Sequence, residues 1–317
     1  MDDTGIIIGV STCLMGESVR HDGGHKKNPF VLDQLGQYVS YRAVCPEMAI
    51  GLGIPREPIR LVADGDETRL LGTRSATDHT QNMIDFATAT AADLAAQPLD
   101  GYIFKSKSPS CGLFRVKRYG AKGVPDANGR GLFAEAVTRT LPDMPVEEEG
   151  RLNDPLLRET FIECLFAHHR LRRFLSSPWT IGDLVTFHSR EKLLLMAHDP
   201  ATYKSLGQLV AKAKARDRSD LARDYKARFM AGMARKATPG RHANALRHMA
   251  GYVKKQIDAG DRAELSDLIE DYRNGLVPLI VPITLIGHFV RRFEIEYLAG
   301  QTYLEPHPKE LMLRNHA

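Results

Sequence analysis

Cysteine is scarce in this chain, four in 317 residues, and tryptophan is scarcer, with one. Four thiols and no secretory leader argue against a disulfide framework and for a reducing, cytoplasmic location. The opening MDDTGIIIGV is acidic and passes straight into a strand pattern, without the positive start and long apolar stretch of an export signal. No apolar run approaches the ~20 residues of a membrane span. Neither a fixed-period repeat nor a low-complexity tract is present. What is there is the composition of a soluble globular protein, 43% hydrophobic and 26% charged. The chain is long enough for two domains, each with a substantial core.

Three of the four cysteines share a setting. Cys13, Cys45 and Cys111 each follow a strand-like run: Gly5–Ser11, Tyr41–Val44 and Gly101–Ser106. Strands alternating with helical segments predict an α/β domain with a parallel sheet. Residues just past parallel strands gather at one rim, where open α/β sheets bind ligands. Three thiols at that rim, with no fourth nearby in sequence, point to a metal or iron–sulfur cluster held on three sides. The fourth side is then open, as substrate chemistry needs, whereas structural sites close all four positions. Each cysteine sits among Gly, Pro and charge, not in the apolar sequence of a packed thiol. Gly16, Gly23, Gly24 and Gly112 allow close backbone approach, and Arg20, Arg56, Lys105 and Lys107 supply positive charge that favours thiolates. Cys164 lies on an apolar helical face and reads as core. His168-His169 and the pair His242 and His248 complete no metal set and read as core or exposed.

The rest of the first part is a helix over Pro29–Gln37 and a hairpin over Ile59–Leu71 around Asp64-Gly65. An Ala-rich helix is capped by Thr77 or Asp78 and ends near Gln97-Pro98. A helix over Gly131–Arg139 and a short strand near Met144–Val146 complete the layer. Three prolines, a glycine and the acidic run Glu147–Glu149 place the boundary between domains at 1–148 and 149–317. The second domain reads as all-α, with about seven helices. Charge divides the same way. Residues 1–150 hold 16 Lys and Arg against 20 Asp and Glu, and residues 151–317 hold 27 against 19. An acidic half joined to a basic half suggests that the second grips a polyanion; solvated helix faces are the plain alternative.

The three segments STCLMGESVRHDGG (Ser11–Gly24), VCPEMAIGLGIPRE (Val44–Glu57) and KSKSPSCG (Lys105–Gly112) resemble those of the thiouracil desulfurase family, in order and spacing, across residues 5–145. The resemblance implies a 4Fe–4S cluster bound by Cys13, Cys45 and Cys111, with one iron free to take sulfur from a thiocarbonyl. It also implies catalytic roles for Glu47 and Ser108. The second half resembles the YbgA-like domain at Phe187–Lys192, Arg241–His248, Val277–Thr284 and Gln301–Leu311, which implies no catalytic residue there.

Chemistry gives these residues work. Removing sulfur from a thiopyrimidine replaces C=S by C=O, so water attacks carbon while sulfide leaves. Glu47 suits a general base and Ser108 suits holding the water or the tetrahedral oxygen. Against that, Glu47 after Pro46 also reads as a helix N-terminal acid, and Ser108 before Pro109 as a turn residue. Arg20, Asp22 and Lys105 are candidate substrate contacts, with Asp22 also able to hold its own turn. Arg170, Arg172, Arg173, Arg235, Lys236 and Arg241 are candidate RNA contacts, since free thiouracil needs no basic domain and a thiolated uridine in tRNA does. The leading expectation is therefore a desulfidase acting on thiouridine in tRNA, with 4-thiouridine first. The alternatives are the same chemistry on free thiouracil or another small thiocarbonyl, and a non-enzymatic, cluster-bearing redox sensor that binds RNA.

Overall fold

Short apolar runs ending in Gly, Pro or charged loops set strands of the first unit, and Asp or Thr caps, three of them followed by Pro, open six helices of the second. The structure is a computed structural model that describes residues 5–65, 67–120 and 123–315. The chain divides into two compact units, residues 1–153 and 154–317.

In chain order the first unit contains β1 (Ile7–Ser11), β2 (Ser40–Val44), α1 (Pro46–Ala49), β3 (Ile59–Asp64), β4 (Glu67–Gly72) and α2 (Thr80–Ala95). It continues with β5 (Leu99–Phe104), β6 (Val116–Tyr119), β7 (Pro125–Gly129), α3 (Leu132–Thr140) and β8 (Val146–Glu148). One sheet runs β2-β1-β5-β8 with every pairing parallel. All six residues of β5 are buried, as a parallel strand covered on both faces requires. Its rings make the core: Tyr102 stacks on Phe104 at 4.1 Å, and Phe133 of α3 meets both edge-on. Gly9 of β1 lies opposite Tyr102, and a Cβ there would sit 2.1 Å from that ring. Only glycine lets the ring lie across the neighbouring strand.

The predicted hairpin is present as β3 and β4, but it belongs to a second sheet, β4-β3-β6-β7. That sheet was not legible, because β7 (PDANG) has none of the β-branched residues that mark strands and is held by pairing with β6 alone. The expected helix over Pro29–Gln37 is a π-helical turn (Phe30–Gln34) followed by a 3₁₀ turn (Leu35–Gln37). Gly36 weakens regular helix there. The short strand falls at Val146–Glu148, two residues later than expected.

Among its described residues the second unit has eight α-helices: α4 (Pro155–Ser176), α5 (Ile181–His198), α6 (Pro200–Ala211), α7 (Arg218–Met233), α8 (Pro239–Val253), α9 (Ala259–Arg273), α10 (Ile280–Arg292) and α11 (Glu296–Ala299). Helices α4 to α9 each begin at an Asp or Thr whose side chain accepts a backbone N–H: Asp154, Thr180, Asp199, Asp217, Thr238 and Asp258. Each such cap contributes about 1 kcal/mol. Prolines at the first turns of α4, α6 and α8 fix φ where no N–H is needed. Cys164 is buried in this core and donates its S–H to the Met233 carbonyl at 2.9 Å. No helix among the described residues is long and apolar enough to cross a membrane.

Candidate active site

The C-terminal ends of β1, β2, β5 and β8 lie side by side, and each delivers groups to one rim. After β1 the chain turns through Thr12–Met15 and stops at Gly16, whose φ of 89° is a left-handed value suited to glycine. This turn presents Cys13. After β2, Cys45 is the first flanking residue of α1, with Pro46 and Glu47 in its opening turn. After β5 come Lys105, Ser108 and Cys111. Cys13, Cys45, Pro46, Glu47, Lys105, Ser108 and Cys111, with Arg20 and Arg56, line one cavity of about 350 Å³.

Cys111 is buried, and Cys13 and Cys45 are half-buried. Burial pushes the Cys13 thiol up to about 11, opposed by Lys105 and reinforced by Cys45. Burial raises Cys45 as well, and raises Cys111 well above a free thiol, with the Ser11 hydroxyl opposing and Glu47 and the other two thiols adding. Without a cation the three are neutral thiols, so loading a metal must displace protons.

Among the described residues no three His, Cys, Asp or Glu side chains gather tightly enough to hold a single metal ion. A lone ion needs its sulfurs about 3.8 Å apart, the tetrahedral edge for 2.3 Å metal–sulfur bonds. A polynuclear cluster asks for a wider set, because its cysteines bind different irons. The donor set fits an iron–sulfur cluster in that sense: three soft thiols, a shared cavity and cations at its wall.

Glu47 is fixed from both sides. Arg56 donates to Oε2 through Nη2 at 2.6 Å and Nε at 3.3 Å; Ser110 donates to Oε1 at 3.0 Å and Ser108 at 3.4 Å. Arg56 also donates to the Val19 and Gly53 carbonyls, so one buried guanidinium ties the Cys13 loop, α1 and Glu47 together. The Ser108 hydroxyl accepts from the N–H groups of Ser110 and Cys111 at 3.2 and 3.1 Å. It therefore both shapes the Cys111 turn and reaches the carboxylate. Gly131 completes this turn: its N–H donates to the Gly112 carbonyl at 2.7 Å, and a Cβ would fall 2.4 Å from the Ser110 backbone.

Asp22 accepts from Arg20 and from the Gly24 N–H, and these bonds hold its carboxyl down to about 2. Arg20 lines the cavity, while Asp22 stabilises the turn behind it. Lys105 is paired with Glu149, which also accepts from the Ser106 N–H at 2.7 Å and its hydroxyl at 2.8 Å. Glu148 accepts from the N–H groups of Leu113 and Phe114 at 2.8 and 3.1 Å. The acidic run Glu147–Glu149 thus forms an edge strand and buttresses the cysteine loop, where sequence alone suggested a linker. Ser110 and Glu149 went unassigned: Ser110 stands in the KSKSPSCG segment beside the serine given a role, Glu149 stands in no motif, and only folding brings them to Glu47 and Lys105.

In the second unit Arg170 is engaged by Glu191 (2.6 and 2.9 Å) and the Pro306 carbonyl (2.9 Å), and Arg241 by the His198 carbonyl (2.7 Å). Arg172 lies 3.2 Å from His169, and Arg235 pairs with Asp199 at 3.3 Å while remaining 66% exposed. Arg173 and Lys236 are exposed.

This rim gathers three thiols and a clamped carboxylate at the ends of parallel strands. Residues 8–149 match the family model described as 2-thiouracil desulfurase, and residues 192–308 match one described as a protein of unknown function, DUF1722. The uncharacterized protein YbgA of Escherichia coli K12 is 35% identical over 152 residues, covering 48% of this chain and 90% of that protein. The uncharacterized protein YbbK of Bacillus subtilis 168 is 32% identical over 159 residues, covering 46% of this chain and 98% of that one. A solved [4Fe-4S]-dependent thiouracil desulfidase, TudS, is 30% identical, with a TM-score of 0.36, over 47% of this chain and 94% of the other. The chain belongs to the 2-thiouracil desulfurase family through its first unit and to the YbgA-like family through its second.

Proposed function

We propose that this chain is an iron–sulfur-dependent desulfidase that converts thiouridine in tRNA, 4-thiouridine first, to uridine. The carrying observation is that Cys13, Cys45, Cys111, Glu47 and Ser108, from three strand ends, line one cavity. The family supports sulfur removal. The tRNA substrate is supported by the excess of Lys and Arg in residues 151–317, with Arg172, Arg173, Arg235 and Lys236 as contacts.

Cys13, Cys45 and Cys111 would hold a 4Fe–4S cluster. When bound, it supplies a soft Lewis acid with an open position for the thiocarbonyl sulfur. The protein's own residues do the rest. Glu47, immobilised by Arg56 and Ser110, takes a proton from water as its oxygen attacks the ring carbon and passes it to the sulfur, then takes the remaining hydroxyl proton as C=O forms and gives it to the departing sulfide. Ser108 holds the attacking water. Arg20 and Lys105 hold positive charge where sulfide accumulates. The C=S bond is replaced by C=O, water provides the oxygen, sulfur leaves as hydrogen sulfide, and no electrons are transferred overall.

The test is anaerobic incubation of the reconstituted full chain with thiolated tRNA, 4-thiouridine and 2-thiouracil, following thiocarbonyl absorbance. Loss from tRNA supports the proposal. Loss from 2-thiouracil alone moves the substrate to a small thiocarbonyl, as the family's description favours. No loss from any of them with the cluster intact rejects the enzyme in favour of a sensor.

A further inference from the structure

The second unit holds a group of buried charges that the desulfurase chemistry does not use. Glu159 and Glu163 lie one turn apart on α4 and are 4% and 1% exposed; Arg314, in the turn Leu313–Asn315, is 4% exposed. Glu163 is fully engaged. Its Oε1 accepts from Arg314 Nη2 at 2.8 Å, and its Oε2 lies 2.8 Å from His198 Nε2. Glu159 is less well served: its Oε1 pairs with Arg314 Nε only at 3.8 Å, and both atoms are buried without a hydrogen bond.

A buried carboxyl oxygen without a hydrogen bond costs stability that its long pair with Arg314 offsets only in part. An apolar residue of the same size would relieve that cost. It lines a cavity of about 380 Å³ with apolar walls from Leu156, Ala237, Pro239 and Tyr272. His242 also faces this cavity. Its Nδ1 lies 2.8 Å from the Tyr303 hydroxyl, and burial lowers it to about 3, so it is a neutral ring. Lys236, exposed, stands among the lining residues as the one cation.

Burial, with Glu163 beside it, pushes the Glu159 carboxyl upward. One ligand edge suits it in either protonation state. As an acid it donates to a ring nitrogen and accepts from the adjacent amino group; as a carboxylate it accepts twice from the protonated amidine. A flat heterocycle also suits the apolar walls, and an anionic substituent suits Lys236. We propose that this cavity binds an amidine-edged nucleobase, of cytosine or adenine type, on a phosphorylated ribose, with Glu159 on the base and Lys236 on the phosphate.

The test is calorimetric titration of the full chain with cytidine, adenosine and uridine 5′-monophosphates. Uridine, with an imide edge, is the control. Cytidine or adenosine monophosphate should bind at least tenfold more tightly than uridine monophosphate, and Glu159→Met should lose that binding at least tenfold. The same variant should raise the urea midpoint read by Trp179, which shows that it folds. Lys236→Ala, at an exposed position, should weaken the monophosphates about threefold and leave the nucleosides unchanged. Absence of binding by either amidine-edged monophosphate at about 1 mM, the weak end of specific affinity, would overturn the proposal, as would equal binding by Glu159→Met. The cavity lies in the second unit, so its failure leaves sulfur removal by the first untouched.

Discussion

Replacing Arg56 by methionine would test the site's architecture most directly. The Arg56 side chain is 5% exposed and Glu47 is 17% exposed, with 2.6 Å between Nη2 and Oε2. Arg56 also donates to two loop carbonyls, so Arg56→Met leaves a carboxylate without its cation and two carbonyls without a donor. The Coulomb attraction of such a pair is about 4–5 kcal/mol at an effective dielectric of 20. Removing one partner of a buried pair destabilises by about 3–5 kcal/mol. With a urea slope of about 1–3 kcal/mol per molar for a small domain, the midpoint of the first unit should fall by about 1–5 M. The assay is urea titration followed by circular dichroism and by the emission of Trp179, the only tryptophan. Trp179 lies in the second unit, so ellipticity lost without a change in emission belongs to the first. In a double-mutant cycle with Glu47→Gln, the coupling should be at least about 1.5 kcal/mol, as residues in direct contact show. A fall of less than about 0.3 M, or additive single effects, would refute the clamp.

Cys13→Ala, Cys45→Ala and Cys111→Ala should each lose iron, sulfide and activity on reconstitution, whereas Cys164→Ala keeps all three; iron lost with Cys164 would overturn the ligand set. Gly131→Ala drives a methyl to 2.4 Å from the Ser110 backbone, so it should displace the Cys111 turn and lower both stability, by about 1–3 kcal/mol, and iron content. The second unit should weaken in acid. Burial lowers His188 to about 4 from 6.5, and a folded value below the unfolded one gives stability that is present above pH 6.5 and lost as pH falls toward 4. Between pH 7 and 5 this amounts to about 2 kcal/mol. The Trp179 urea midpoint should fall accordingly, and His188→Gln should flatten that fall.

The cysteine rim was legible because its determinants are local. Strand patterns ending in Cys13, Cys45 and Cys111 are properties of short segments, and parallel pairing carries their ends to one side. The caps were not read from the sequence: the one expected, at Thr77 or Asp78, gives way to His79 as the residue before α2, without a side-chain cap, while Asp154 and Thr180 cap helices unannounced. Strand β7 has no pattern of its own and exists through its partner strand.

Sequence by itself determined most of the strands and helices, which thiols follow a strand, and where positive charge accumulates. Only the tertiary structure decided that Arg56 and Ser110 hold the two oxygens of Glu47, that Glu148 and Glu149 brace the cysteine loop, and that Glu159 lines a cavity with one oxygen buried and not hydrogen-bonded. These contacts join residues up to 63 positions apart on different elements. A hydrogen bond depends on ångström-scale placement of both ends, and periodicity along the chain carries no information about that.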